Sequence, residues 1–370
     1  MARILPLYWK IYKKTNVLRI LDEQNINKDL KNEYDIIINI HGDIDPYYSD
    51  NLYKNNAITY CHFPSAKFLM ENEDKAYLEK HLKINRASST TKKHTAVATT
   101  TTIYTNIDSL NMVEDDNNII GNFDRKRYLK WLKDTYDEMM QNTTLLTNSE
   151  YSRKAIFDTY GIKDCIVLYP PADNEKFCSL LFSNDDIYVG NYKREDTILV
   201  ISRIDPSKEI ENAIKLSRLL KSKGIGKEMI VVGSLDPYFN DYYLYIKEMI
   251  LTFDLKDYIK FEINVSFDKL LSLMKKSKVF FHPKSGEHFG ISIVEAMSAG
   301  LIPIVADEGG QTEFVPKKYQ YHTLEQASQI IALSLNVSDS ERLHISNSVQ
   351  RFSISNYIKN FQQIVKYILL

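Results

Sequence analysis

Short β-branched runs recur along the chain, each ending in a polar or glycine-bearing turn and followed by residues of helical period. This pattern constrains the fold more than any other feature. Three units stand early. Asp35 to Ile40 leads into His41-Gly42-Asp43, Ala57 to Cys61 into His62-Phe63-Pro64, and Thr144 to Thr147 into Asn148-Ser149. Four follow later: Thr197 to Ile201 into Ser202-Arg203, Glu228 to Val232 into Gly233-Ser234, Val279 to Phe281 into His282-Pro283, and Ile302 to Val305 into Ala306-Asp307. Such units build parallel α/β sheets, in which ligands gather outside the carboxyl ends of the strands. Between the two series, Cys165 to Leu168 runs into Tyr169-Pro170-Pro171, and a proline pair ends a strand because it donates no ladder hydrogen bond and disfavours helix before it. The boundary between two domains is therefore expected near Pro170 to Phe177.

Composition narrows the function classes. The chain has 370 residues, 44% hydrophobic and 26% charged, which suits two or three globular domains. Lys plus Arg (47) balances Asp plus Glu (48), so no global field draws it to nucleic acid. Cys61, Cys165 and Cys178 lack metal-like spacing and cannot all pair, which fits a reducing, cytoplasmic setting. No apolar run approaches the ~18–20 residues of a spanning helix, so membrane contact is expected to be peripheral at most. The segment Ser88 to Asn106, rich in Thr and without periodicity, is expected to be a mobile loop, the alternative being a loop that gates the acceptor.

Glycine is scarce, 12 in all, yet five fall between Gly286 and Gly310. There Ser285-Gly-Glu287-His288-Phe289-Gly290-Ile291 precedes a short helix to Ala299, with Gly290 turning the backbone and Gly300 capping the far end. Glu287 stands before that helix and Glu295 about one and a half turns inside it, roughly 7–8 Å along the axis. The amides of Phe289 to Ser292 and the helix dipole suit a phosphate or pyrophosphate. Ser202-Arg203-Ile-Asp205-Pro206-Ser-Lys208 places Asp205 as an N-cap and Arg203 and Lys208 as cations able to neutralise a diphosphate without a metal; two solvated surface cations are the plainer reading of the motif alone. Gly309-Gly310 could aim backbone N–H groups into the cleft or serve as a simple tight turn.

Tyr60-Cys-His-Phe-Pro64, Tyr169-Pro-Pro-Ala-Asp173 and His288-Phe-Gly-Ile-Ser-Ile-Val-Glu295 resemble the lipid-linked-oligosaccharide mannosyltransferase branch of glycosyltransferase family 4, the retaining GT-B enzymes. The resemblance runs from about Thr143 to the C-terminus. It implies an α/β GT-B fold of two Rossmann-like parallel-sheet domains facing a cleft: an acceptor-side domain 1–170, a nucleotide-sugar domain 171–355, and a helix 356–370 crossing back to the first. It implies a hexosyltransferase moving mannose from GDP-mannose, or another hexose from a UDP-sugar, to a lipid-linked or surface-polysaccharide acceptor, with no cofactor and no resident metal. Arg203 and Lys208 would hold the donor diphosphate, Glu287 would lie beside the donor sugar, Glu295 would hold the ribose hydroxyls, and His62 would face the transferred sugar. Front-face transfer with retention is expected, on the cytoplasmic side of a membrane.

The first domain departs from that family. Its first 160 residues hold only Gly42 and Gly121, with no glycine-rich loop, and Met1 to Lys31 is short for the usual opening units. A GT-B epimerase or hydrolase, or a non-catalytic subunit binding donor or glycan, therefore stays open. Asp43-Ile-Asp45 has the form of a metal-binding D-x-D but precedes Pro46, where turn acids are ordinary. His62 is either a polarising group or a packed loop histidine, and His282 reads as a strand-end cap. Trp9, Tyr12, Lys13 and Lys14 could form a membrane-interface patch, the alternative being an amphipathic start packed on the core.

Overall fold

The structure is a computed structural model that describes residues 36–40, 57–64, 140–181 and 194–369. The opening segment with Trp9, Tyr12, Lys13 and Lys14, the Asp43-Ile-Asp45 motif and the loop Ser88 to Asn106 lie outside the described residues.

The first sheet contains β1 (Ile37–Asn39), β2 (Ala57–Cys61), β3 (Thr144–Thr147) and β4 (Cys165–Val167), all parallel and in that spatial order. Helix α1 (Glu150–Tyr160) joins β3 to β4. Its N-cap Ser149 accepts the Ser152 amide, and Gly161, at φ 68°, closes it through an N–H to Phe157 O.

After Pro170-Pro171 the chain enters the second domain at once. Ala172 N donates to Phe352 O at 2.9 Å, and Phe177 of α2 (Asn174–Cys178) is buried in the second core. The second sheet comprises β5 (Glu195–Ile201), β6 (Glu228–Gly233), β7 (Ile259–Ile263), β8 (Ser277–Phe281), β9 (Ile302–Ala306) and β10 (Gln320–Tyr321). Its order is β10-β9-β8-β5-β6-β7, and every pairing is parallel. The crossover helices are α3 (Ile210–Ser222), α4 (Asn240–Thr252), α5 (Phe267–Lys276) and α6 (Ile291–Ser298), and α7 (Leu324–Ser334) and α8 (Asp339–Ser348) follow the last strand. Ile198, Leu199, Val200, Phe280, Phe281, Ile302 and Ile304 are fully buried, so strands covered on both faces read as continuous apolar runs. The edge strands β7 and β10 escape that reading. β7 alternates apolar and polar residues, and β10 has only two residues. β5 starts at Glu195, two residues before the apolar run. There the Arg194 guanidinium donates to the carbonyls of Met274, Ser277 and Ala299 and ties the strand's entry to its neighbours.

The last helix, α9 (Ile354–Leu369), returns to the first sheet, where Tyr357 and Phe361 join Ile58, Tyr60, Leu146 and Leu168 in a small core. The order of the second sheet reverses between β5 and β8, and a ligand crevice forms outside the carboxyl ends of the strands at such a switch point.

Candidate active site

The turn after β8 is built outward from that switch point. His282 N extends the ladder to Ile304 O at 2.9 Å, and Asn212 of α3 donates to Pro283 O at 3.1 Å. Gly286 N then bonds Glu308 O at 3.0 Å, Glu287 pairs with Gly309 as a parallel bridge, and Gly310 N donates to Glu287 O at 2.8 Å. A Cβ on Gly310 would stand 2.0 Å from His288 O, and one on Gly309 2.6 Å from Glu287 O. The glycine pair thus lets two loops lie backbone against backbone. The expected outward-aimed amides give way, at Gly310, to a hydrogen bond that fixes the Glu287 main chain.

The Glu287 carboxylate lies in a nest of cations. Lys208 Nζ is 2.9 Å from Oε2, and His282 Nε2 is 3.4 Å from the same oxygen. Burial alone would push the Glu287 carboxyl up. His282, Lys208 and Lys284 outweigh it and hold the group well below the ordinary carboxylate range, so Glu287 is an anion. Lys208 reaches this site from a short 3₁₀ turn, Pro206–Lys208, whose N-cap Asp205 accepts the Ser207 amide at 2.9 Å. The turn breaks at Glu209, at φ 53°, before α3 begins. Gly233, at the end of β6, is required because a Cβ there would meet Ser202 O at 1.6 Å, so the strand end carrying Arg203 presses against its neighbour.

The other expected residues divide. Arg203 is more than half exposed and sits 3.5 Å from buried Asp205, open to a ligand, whereas Lys208 already faces Glu287. Gly290 adopts φ 90° and opens α6, whose N-terminus carries no side-chain cap, the setting in which helix amides take an anion. Ile291 is partly buried against the core, and Glu295 is half-buried in the helix beyond it. Phe289 was expected to act through its amide. Its ring is 2% exposed among Tyr169, Phe314 and Phe352, so only its main chain can serve a ligand.

The first domain meets this site through rings. Phe63 stacks on His288 at 3.9 Å with an interplanar angle of 3°, and on Tyr151 of α1 at 6.0 Å. Burial, opposed by Glu287 and joined by the charges of Lys284, Lys208 and His62, pushes the His288 imidazole down to about 4, and the Phe63 stack brings the first domain against it.

Two site residues were not assigned to the site from sequence. His282 is no mere strand-end cap, since its buried ring is turned to Glu287. Lys284 is partly buried beside Glu287, Lys208, Glu209 and Asp205, and burial lowers its pKa against the opposing pull of Glu287. Their signal was position: both follow β8 at the strand ends where ligands collect.

Residues 184–341 match the glycosyl transferases group 1 family. The match covers residues 184–341 of the 370 and includes β5 to β10. The Glu287 turn, Arg203, Lys208 and the uncapped start of α6 all lie within the matched segment. A Dictyostelium discoideum protein named GDP-Man:Man(3)GlcNAc(2)-PP-Dol alpha-1,2-mannosyltransferase is 26% identical over 220 residues, 55% of this chain and 42% of its own. The Caenorhabditis elegans protein of the same name is 22% identical over 244 residues, 60% of this chain and 51% of its own. The chain thus spans about half the length of the curated relatives it matches. A crystal structure of a glycosyltransferase from Rickettsia africae superposes with a TM-score of 0.61 at 15% identity, covering 98% of this chain and 87% of that one. That likeness shows the fold, two Rossmann-like parallel-sheet domains in the GT-B arrangement. Among the described residues no helix is long and apolar enough to cross a membrane, and no cluster of three or more His, Cys, Asp or Glu could hold a metal ion.

Proposed function

We propose that this chain is a glycosyltransferase that moves mannose from GDP-mannose to a lipid-linked acceptor, with retention and without a metal. The observation that carries the reading is the Glu287 carboxylate, held anionic by Lys208 and His282 at the switch point of the second sheet. The names of the relatives support the choice of GDP-mannose and a lipid-linked acceptor.

Breaking the bond from sugar C1 to diphosphate builds positive charge on the ring and negative charge on the leaving group. Glu287 has the sign needed for the first, and Arg203, Lys208, Lys284 and the start of α6 have the sign needed for the second. When donor enters, the diphosphate competes with Glu287 for Lys208. Glu295 would hold the ribose hydroxyls, Gly309 and Gly310 would keep the Glu287 main chain in place, and His62 would face the transferred sugar from the first domain. The free cysteines Cys61, Cys165 and Cys178 fit a cytoplasmic site on a membrane surface.

The test is transfer of labelled mannose from GDP-mannose to chloroform-extractable lipid in a membrane lipid extract, in EDTA, with UDP-glucose as the rival donor. The reading expects lipid-bound label from GDP-mannose. Turnover of donor without acceptor would favour an epimerase or hydrolase, GDP binding without turnover a non-catalytic subunit, and activity restored only by manganese would remove the metal-independent mechanism.

A further inference from the structure

Glu313 belongs to the second domain, yet its side chain serves the first. Its Oε1 accepts the Tyr151 amide at 2.9 Å and its Oε2 accepts the Glu150 amide at 3.1 Å, so one carboxylate takes the first two free amides of α1. Tyr169 Oη, at the domain junction, donates to the same Oε2 at 3.0 Å. A carboxylate at a helix N-terminus satisfies orphan amides and meets the positive end of the dipole, which makes this a strong contact between the domains. Burial and the nearby Glu313 charge push the Tyr169 phenol up to about 12, so it stays a donor.

The other end of the same turn holds Glu287. Residues Gly310–Glu313 form a single 3₁₀ turn, pinned to β9 by Gln311 Nε2 donating to Ala306 O at 3.3 Å and closed by Thr312 Oγ1 on Gly309 O at 2.8 Å. At its start, Gly310 N donates to Glu287 O and Gly309 bridges Glu287. Ser149, the N-cap of α1, rests against Gly310, since a Cβ there would stand 3.0 Å from Ser149 Cβ. A rigid turn of four residues therefore connects the first domain's helix to the main chain of the candidate catalytic carboxylate.

We propose that Glu313 is a positioning residue that couples seating of the first domain on α1 to the placement of Glu287. The structural part stands on these contacts alone; its effect on turnover rests on the glycosyltransferase reading. Seating the first domain brings Phe63 over His288, and the turn fixes the main chain of the adjacent Glu287. In a displaced turn Glu287 would keep its charge but lose its alignment, which costs rate more than binding.

Glu313→Ala and Glu313→Gln are compared with wild type by hydrogen-deuterium exchange resolved to Glu150, Tyr151 and Gly310. Leu199 and Val200 of β5 report that the domain is folded. In Glu313→Ala we expect at least about tenfold faster exchange at all three amides with β5 unchanged, the scale of a lost hydrogen bond to a charged group. Glu313→Gln, whose amide oxygen still accepts one N–H, should fall between. In the transfer assay kcat should drop at least about tenfold while the Kd for GDP stays within about twofold. Faster exchange at Glu150 and Tyr151 with Gly310 unmoved, or an unchanged kcat, would overturn the coupling. If wild type neither binds GDP nor transfers, the donor reading fails while the exchange at Gly310 still decides the coupling.

Discussion

Lys208→Met separates the stability of the site from its affinity for phosphate. Lys208 and Glu287 stand 2.9 Å apart, with side chains 20% and 13% exposed, so the pair is largely withdrawn from water. Removing one partner of a buried pair costs about 3–5 kcal/mol. Here His282 and Lys284 still face Glu287, so about 2 kcal/mol is expected, or roughly 4–8 °C in the melting of a domain this size. Losing a cation from the diphosphate should weaken GDP binding roughly 10- to 150-fold, the worth of one charge-assisted hydrogen bond. The double variant Lys208→Met/Glu287→Gln removes the uncompensated anion, so it should recover most of the lost stability and none of the lost affinity. The pH dependence has a definite sign. Glu287 is held below its unfolded pKa, so its contribution is present above about pH 4.5 and is lost as pH falls through the folded value. Lys208→Met raises that folded value, and the stability gap to wild type should close on acidification through the carboxylate range. Thermal melts and calorimetric GDP titrations of the three proteins suffice. A single variant as stable as wild type, or a double variant no better than the single, would refute the reasoning about the pair; unchanged GDP affinity would refute the placement of the diphosphate.

Gly310→Ala puts a Cβ 2.0 Å from His288 O, so the loops must part; we expect a loss of about 2 kcal/mol or more in unfolding free energy and a fall in transfer, and a neutral result would contradict the backbone-to-backbone packing. Lys284→Met should raise the Kd for GDP while leaving that for guanosine unchanged. Because burial lowers the Lys284 pKa, wild-type GDP affinity should also decline with rising pH sooner than an ordinary lysine allows, a slope the variant lacks. Phe361→Ala, in α9 against the first sheet, should cost about 3–5 kcal/mol and expose β2 and β3 to limited proteolysis before the second sheet.

The buried strands and their polar turns were legible because strands covered on both faces must be apolar runs, as in Ile198 to Val200 and Ile302 to Val305. Asp205 as N-cap and Gly300, at φ 76°, as the close of α6 were legible because such backbone positions accept few residue types. What sequence could not supply was distance. Lys208 and Glu287 are 79 residues apart and Glu313 and Tyr151 162, and neither pairing has a local signature. The left-handed Glu209 went unseen because a non-glycine residue carries no mark of positive φ. For Gly309-Gly310 both an amide-presenting turn and a simple tight turn stayed open, because a glycine that permits close approach and one that frees an amide for a ligand look alike in a string of letters; the Gly310 amide is taken by Glu287 O.

The central claim is that Glu287 is an anion serving the reaction while the cations around it serve the donor. Glu287→Gln keeps the shape of the side chain and removes its charge. With GDP-mannose and lipid acceptor, the account predicts transfer at least about 100-fold below wild type, with GDP bound as tightly or more tightly because Lys208 is no longer engaged. Transfer within about threefold of wild type, or loss of GDP binding, would contradict it.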